Sequence, residues 1–285
     1  MTSVLRYTGF AATPEGGNPA GIVLDAGDLP DAEMQTIAAD VGFAETAFLI
    51  DPAIDGDARH ARVRYFSPIA EIPFCGHATI ALAVALARRD GIGTVVFETP
   101  VGPVSITTTG DSGSGTAGEI TAAFTSVEPK LAGLSDEVLD VLLGLLGVAR
   151  DDLDPRFPPQ LSYAGNWHPV LVFADRDTFD TFAFDPAAMR ALMDAEGWTG
   201  TVTTLFAIGP AEFEARNIFP VGTMNEDPAT GSAAASVGGY LRTLGLAPDR
   251  LIIHQGAHVG RPSLLTVDIP PTGGIIVSGT AVEIV

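Results

Sequence analysis

Glu71-Ile72-Pro73-Phe74-Cys75-Gly76-His77-Ala78 and Glu226-Asp227-Pro228-Ala229-Thr230-Gly231-Ser232-Ala233 align residue for residue, and each opens an alanine-rich run of helical character. A second echo lies upstream of each. Gly17-Asn18 leads into Pro19-Ala20-Gly21-Ile22-Val23-Leu24, and Gly165-Asn166 leads into Trp167-His168-Pro169-Val170-Leu171-Val172. Two signals repeated in the same order predict two halves built alike, residues 1–128 and 129–285, with the last strand able to return to the first half. Two similar domains facing one another would offer a ligand the cleft between them.

The 285 residues suffice for two domains, each with its own core. A charged fraction of 18% against a hydrophobic fraction of 46% excludes intrinsic disorder. With 35 acidic and 15 basic residues the net charge is -20, which opposes attraction to nucleic acid or to an anionic membrane. The longest apolar run, 80–87, is too short to span a bilayer. The chain opens straight into a strand-like pattern without a basic leader, and a cytoplasmic enzyme is expected. One cysteine, Cys75, can form no internal disulfide and offers no thiol pair to a metal. The one lysine, Lys130, falls in the expected linker, so Schiff-base chemistry would rest on that residue alone.

Hydrophobic periodicity predicts strands at 4–10, 21–24, 46–50, 61–66, 94–98, 104–108 and 119–124, and helices at 31–41 and 77–89. Residues 110–118, rich in Gly, Ser and Thr, read as a hairpin loop, and 125–133 as the linker. In the second half, helices are expected at 136–146, 186–195 and 232–244, and strands at 169–173, 203–208, 213–219, 251–254, 263–269 and 275–285. The helix over 77–89 is apolar on all sides and should be buried. Arg88, Arg89 and Gly91 form a favourable C-terminus for it. Gly238 and Gly239 make the helix over 232–244 less greasy. The expected class is α+β: two similar domains related by internal duplication, each a mostly antiparallel sheet wrapped around a central apolar helix.

Both central helices begin at a Gly-X pair, Gly76-His77 and Gly231-Ser232. Unpaired backbone N–H groups and the positive end of the helix dipole suit such a terminus to a carboxylate, and the glycines allow close approach. Ser232 and Asp227 could equally be ordinary capping and turn residues. Glu45, in Gly42-Phe43-Ala44-Glu45-Thr46-Ala47-Phe48, is an acid at the mouth of an apolar strand, a setting suited to proton transfer or simply to solvation. His77 is the best general acid or hydrogen-bond donor because it lies inside the repeated motif. His254 and His258 flank a glycine-rich turn that could line the cleft or merely shape a loop. His60 and His168 show no metal-ligand spacing, so no metal is expected. Gly110-Asp111-Ser112-Gly113 lacks the context of a nucleophile elbow, and Gly91-Ile92-Gly93 lacks the third glycine of a dinucleotide site, so no cofactor is expected.

Together these blocks resemble the phenazine-biosynthesis isomerase family (PhzF-like), whose fold is that of diaminopimelate epimerase. The matching blocks are Gly17-Asn18-Pro19, Ala44-Glu45-Thr46-Ala47-Phe48, Phe66-Ser67-Pro68 with Glu71, Cys75-Gly76-His77-Ala78-Thr79, residues 226–233, and Gln255-Gly256 with Gly260-Arg261-Pro262-Ser263. The resemblance implies a cofactor-independent isomerase and homodimer, acting on a small carboxylated substrate in the inter-domain cleft. It implies Glu45 as the acid–base residue that moves a proton between carbons, with Asn18, Gly76, His77, Asp227, Gly231 and Ser232 binding substrate. Cys75 and Ala78 follow the wider family rather than its phenazine-forming member. Cys75 also falls where related epimerases carry the first of two catalytic cysteines. The second half has no thiol at the matching place, which excludes a two-cysteine racemase. A single-cysteine epimerase or racemase of an amino or hydroxy acid, and a non-catalytic small-anion binding protein, remain as alternatives.

Overall fold

The structure, a computed structural model, describes residues 2–110, 119–221 and 224–284. The expected loop at 110–118 and the Gly110-Asp111-Ser112-Gly113 segment lie mostly outside the described residues, as does the last residue of the strand expected at 275–285. The chain divides into two compact units, Met1–Thr125 with Ser278–Val285, and Ser126–Val277.

The first unit contains β1 (Leu5–Gly9), β2 (Asn18–Val23), α1 (Asp31–Val41), β3 (Glu45–Asp51), β4 (His60–Phe66), β5 (Glu71–Ile72), α2 (Gly76–Asp90), β6 (Gly93–Thr99), β7 (Gly102–Gly110) and β8 (Ile120–Thr125). Pairing runs β1–β2–β3–β4–β6–β7–β8, antiparallel except at β2–β3 and β4–β6, with β5 a short antiparallel partner of β4. The last strand of the chain (Ile276–Glu283) pairs antiparallel with β1, Tyr7 opposite Glu283, and also joins β8, so the eight long strands close into a circuit. Helix α2 lies against β1, β2, β3, β7 and β8, and its residues His77 to Ala87 are buried without interruption. A helix apolar all round must be surrounded. Ala78, Ala81, Ala83, Ala85 and Ala87 keep it thin enough to fit among the strands. Outside the circuit, Met34 and Ala38 of α1 pack on Val23, Phe48 and Phe66.

The second unit contains β9 (Lys130–Gly133), α3 (Asp136–Leu146), β10 (Gln160–Tyr163), β11 (Trp167–Phe173), α4 (Arg176–Thr181), α5 (Pro186–Glu196), β12 (Val202–Gly209), β13 (Glu212–Val221), β14 (Met224–Asp227), α6 (Gly231–Thr243), β15 (Arg250–Gln255) and β16 (Ser263–Asp268); the strand Ile276–Glu283 is β17. Pairing runs β9–β10–β11–β12–β13–β15–β16, antiparallel except at β11–β12 and β13–β15, with β14 on β13. Helix α6 is buried along nearly its whole length and lies against β9, β10, β11 and β16. Its two glycines have steric reasons. A Cβ on Gly238 would meet Ile275 at 2.9 Å and Val267 at 3.1 Å, and one on Gly239 would overlap the Pro129 ring. Helices α3 and α5 cover another face through Leu139, Leu142, Leu143, Met189 and Met193, which pack with Leu171, Phe173 and Ile218. Each such side chain, when fully buried, contributes about 1.5–3 kcal/mol relative to exposure.

The segment read as a linker over 125–133 is not one throughout, because Lys130–Gly133 form β9 against β10. Lys130 therefore sits in a strand, its Nζ 5.7 Å from the Tyr163 ring centroid. In each unit the first residue of the repeated octapeptide is held by an arginine of the preceding long strand. Arg64 donates to both oxygens of Glu71 at 2.7 Å, and Arg216 donates to those of Glu226 at 3.2 and 2.6 Å. The second pair is far more enclosed, with side chains 9% and 11% exposed against 24% and 35%. Its guanidinium also lies 3.7 Å from the Phe182 ring centroid and donates to the Phe179 and Phe182 carbonyls. Removing one partner of a buried pair strands the other charge. Glu226→Ala is expected to lower unfolding free energy by about 3–5 kcal/mol, and Glu71→Ala by about 0–1 kcal/mol. Urea denaturation of the two variants checks the difference.

Candidate active site

Gly17 sets the first site residue in place. Its φ is +67°, and an added Cβ would lie 2.5 Å from Thr8 Oγ1, the Gly9 carbonyl and Ala11 Cβ, so only glycine fits before Asn18. Thr8 in turn donates to the Gly16 carbonyl at 2.6 Å. Asn18 thus opens β2 fully buried, its Nδ2 3.0 Å from His77 Nδ1. His77 is the second residue of α2. The carbonyl of Cys75, the N-cap, accepts from both the Thr79 backbone N–H and Thr79 Oγ1, and the buried Tyr65 hydroxyl donates to that same Oγ1 at 2.7 Å. Burial pushes the Tyr65 phenol up, which keeps it protonated as a donor. Gly9 lets β1 pass close, since a Cβ there would lie 2.6 Å from the His77 carbonyl oxygen.

Against this helix start stands Glu45, the first residue of β3. Its Oε2 lies 3.1 Å from His77 Nε2 and 3.5 Å from Cys75 Sγ. The Asn18 amide donating to Nδ1 leaves the hydrogen of a neutral imidazole on Nε2, directed at Glu45. Both contacts fall on Oε2. Glu45 is 17% exposed at its side chain and His77 only 6%, so the carboxylate is the more accessible member of the pair. Glu45, Cys75 and His77 each offer a ligand atom within 4.8 Å of one another. Among the described residues they are the set that could hold a soft divalent cation.

In the second unit Asp227, Gly231 and Ser232 gather at the start of α6. Thr230 is the N-cap and makes no side-chain cap, and Ser232 is the second residue of the helix. Thr230 Oγ1 donates to Asp227 Oδ2 at 2.5 Å, and Gln255 clamps the segment, donating to the Asp227 carbonyl and accepting from the Thr230 backbone N–H. Ser232 Oγ is 3.0 Å from Nε2 of His168, a fully buried ring whose Nδ1 meets the Thr201 carbonyl and Oγ1 at 3.0 Å.

His168 and Gln255 are the positioning residues that the sequence reading passed over. The available signal for His168 was its place just after Gly165-Asn166, the echo of Gly17-Asn18. His254 and His258 pair instead with Glu212 and Asp180 at 2.7 and 3.1 Å, as surface partners of the second unit.

Burial lowers the His168 pKa to about 4. The folded value lies below the unfolded one near 6.5, so the unfolded chain binds the extra proton between them. Stability from this ring is therefore complete above about pH 6.5 and is lost as pH falls towards 4, on the order of 3 kcal/mol in all. Urea denaturation across that window should show this loss in the wild type and its absence from His168→Gln.

With this geometry in view, comparison with known proteins is specific. Residues 7–285 match the model of the family described as phenazine biosynthesis-like protein. The chain is 30% identical to the uncharacterized isomerase YddE of Escherichia coli (strain K12), over 98% of this chain and 95% of that one. It is 30% identical to the trans-2,3-dihydro-3-hydroxyanthranilate isomerase of Pseudomonas fluorescens, over 93% and 89%. The crystal structure of a Bacillus anthracis phenazine biosynthesis protein of the PhzF family superposes with a TM-score of 0.84 at 26% identity, covering 100% of this chain and 97% of that one. The chain belongs to the PhzF family and is an enzyme of its isomerase class.

Proposed function

We propose that the protein is a cofactor-independent isomerase that moves a proton between carbons of a small carboxylated substrate, with Glu45 as the acid–base residue. The supporting observation is the assembly at the start of α2, where Glu45 Oε2 is held by His77 Nε2 at 3.1 Å while Asn18 fixes the imidazole from its other side. In this reading the Glu45 carboxylate removes a proton from a substrate carbon, and the electron pair spreads into the conjugated carboxylated system. The protonated Glu45 then returns the proton at a different carbon, restoring its own charge. The His77 N–H stabilises the carboxylate between turnovers. Asn18, Gly76 and His77 in the first unit, and Asp227, Gly231 and Ser232 in the second, supply binding groups. A homodimer in the cytoplasm completes the proposal. Among the described residues no helix is long and apolar enough to cross a membrane.

The internal duplication belongs to the same reading. It is supported by the matching order of parallel and antiparallel pairings, and by the two arginine–glutamate pairs at the head of the repeated octapeptides.

A second reading is an epimerase with one thiol, which would need Cys75 and Glu45 or His77 on opposite faces of a chiral carbon. Cys75 Sγ lies 3.5 Å from Glu45 Oε2 and 3.4 Å from His77 Nδ1, close enough to exchange a proton with either. The two readings separate in deuterated water, with trans-2,3-dihydro-3-hydroxyanthranilate and a panel of cyclic dienoic hydroxy acids and amino acids followed by mass spectrometry. Glu45→Gln should lose deuterium incorporation by about 10²- to 10⁴-fold while still folding, and retained turnover would sink the glutamate mechanism. Cys75→Ser should keep turnover within about tenfold, whereas a loss as large as that of Glu45→Gln would establish the thiol as a second acid–base group.

A further inference from the structure

We infer that His168 is a positioning residue that holds the Ser232 hydroxyl with its hydrogen turned inward, so that Ser232 offers a ligand only lone pairs and takes a hydrogen donor, an ammonium or hydroxyl group. The ligand half of this statement rests on the proposed placing of Ser232 among the substrate-binding residues; the orientation half does not.

The orientation follows from donor and acceptor counts. His168 Nδ1 lies 3.0 Å from the Thr201 carbonyl oxygen, which can only accept, so Nδ1 carries the hydrogen. Thr201 Oγ1, also 3.0 Å from Nδ1, donates its own hydrogen to Asn217 Oδ1 at 2.7 Å, where Thr203 Oγ1 donates as well. It too presents a lone pair to the ring. The carbonyl alone settles the tautomer, whichever way the Asn217 amide is turned. A neutral ring protonated on Nδ1 has a bare lone pair on Nε2, and the atom 3.0 Å from it is Ser232 Oγ. The serine must therefore donate inward.

The ring has no freedom to reverse this. A Cβ on Gly200 would lie 2.5 Å from His168 Cε1 and 2.8 Å from Nδ1, so the chain before Thr201 is pressed against the imidazole. Ser232 is half-buried, whereas its neighbours Gly231 and Ala233 and its partners His168, Thr201, Thr203 and Asn217 are buried, so the serine is the least buried member of the chain.

Serine donating to a histidine whose other nitrogen is oriented is also the geometry of an activated nucleophile. Here the partners decide against that use. Thr201, Thr203 and Asn217 are all neutral, and among the described residues the network shows no carboxylate to stabilise an imidazolium. A fully buried ring without a counter-charge is a poor base and a good fixed acceptor.

Two measurements test the inference. In enzyme with ¹⁵N-labelled histidine at pH 7.5, the His168 resonances are assigned by their absence from His168→Gln. Long-range ¹H–¹⁵N correlation should show hydrogen on Nδ1, and the Nε2 signal should move towards the value of an unbonded lone pair in Ser232→Ala. Hydrogen on Nε2, or no response to Ser232→Ala, overturns the inference whether or not Glu45 proves to be the acid–base residue. Calorimetric titration then compares 3-hydroxyanthranilate with benzoate, which keeps the carboxylate but lacks both donors. The wild type should prefer the former by about tenfold or more, and Ser232→Ala should lose most of that preference. Equal affinity for the two, binding of neither, or an undiminished preference in Ser232→Ala overturns the donor-ligand half. Labelling of Ser232 by a fluorophosphonate, abolished in His168→Gln, would overturn the positioning role in favour of a nucleophile.

Discussion

A helix enclosed by strands along its sides can present polar groups only at its ends, and most of the first unit follows from that constraint on α2. The alanines on alternate positions keep the helix thin, so nothing polar can be placed along its length without being sealed. Its termini are then the places where a side chain can meet both the helix and the outside, with the exposed Arg88, Arg89 and Asp90 at the C-terminal end and a different set at the N-terminal one. Cys75, Gly76 and His77 occupy that place, and Asn18 and Glu45 reach it because β2 and β3 run parallel beside each other and begin at the same end, Ala20 opposite Glu45. The chemistry is gathered there by topology before any residue type is chosen.

The start of α6 obeys the same constraint with different side chains. In the first unit the second helical residue is His77, steadied by Asn18 from the head of β2. In the second it is Ser232, steadied by His168 from the head of β11. The imidazole has in effect changed places, from the helix to the strand behind it. At the helix it faces a carboxylate and serves as a donor, whereas behind the helix it faces a carbonyl and serves as an acceptor. The chain thus uses the two tautomers of one side chain to give its two helix ends opposite hydrogen-bonding polarity.

Much of this was legible in the chain because it is local. The helices over 31–41 and 136–146 match α1 and α3 to the residue, since Gly42 and Gly147 take the left-handed conformation that ends each helix. Burial of α2 followed from its unbroken apolar run. Glu45, His77 and Asn18 could be named from motif blocks, but their distances could not. What was missed depends on partners far away in sequence. Lys130–Gly133 and Gln160–Tyr163 are four-residue strands of mixed polarity that exist because each completes the other. Neither has an alternation long enough to be seen alone. The role of His168 depends on Ser232, 64 positions later, and on Thr201, 33 positions later. A buried histidine with no metal-ligand spacing gives no local sign of such partners.

The repeated octapeptide also shows why repetition in sequence is not repetition in role. Glu71 and Glu226 stand at the same position and are gripped by arginine in the same bidentate manner, so their carboxylates are committed to holding the approach to each helix. Four residues on, Cys75 and Thr230 are both N-caps that make no side-chain cap, yet one contributes a thiol beside Glu45 and the other a hydroxyl that ties down Asp227. The first residue must hold the chain in either unit and therefore stays the same. The residues that follow face what each site contains and therefore diverge. The proposed acid–base role falls where the two units differ: among the described residues Glu45 is met by an imidazole and a thiol, whereas the second unit presents hydroxyls at the start of its helix.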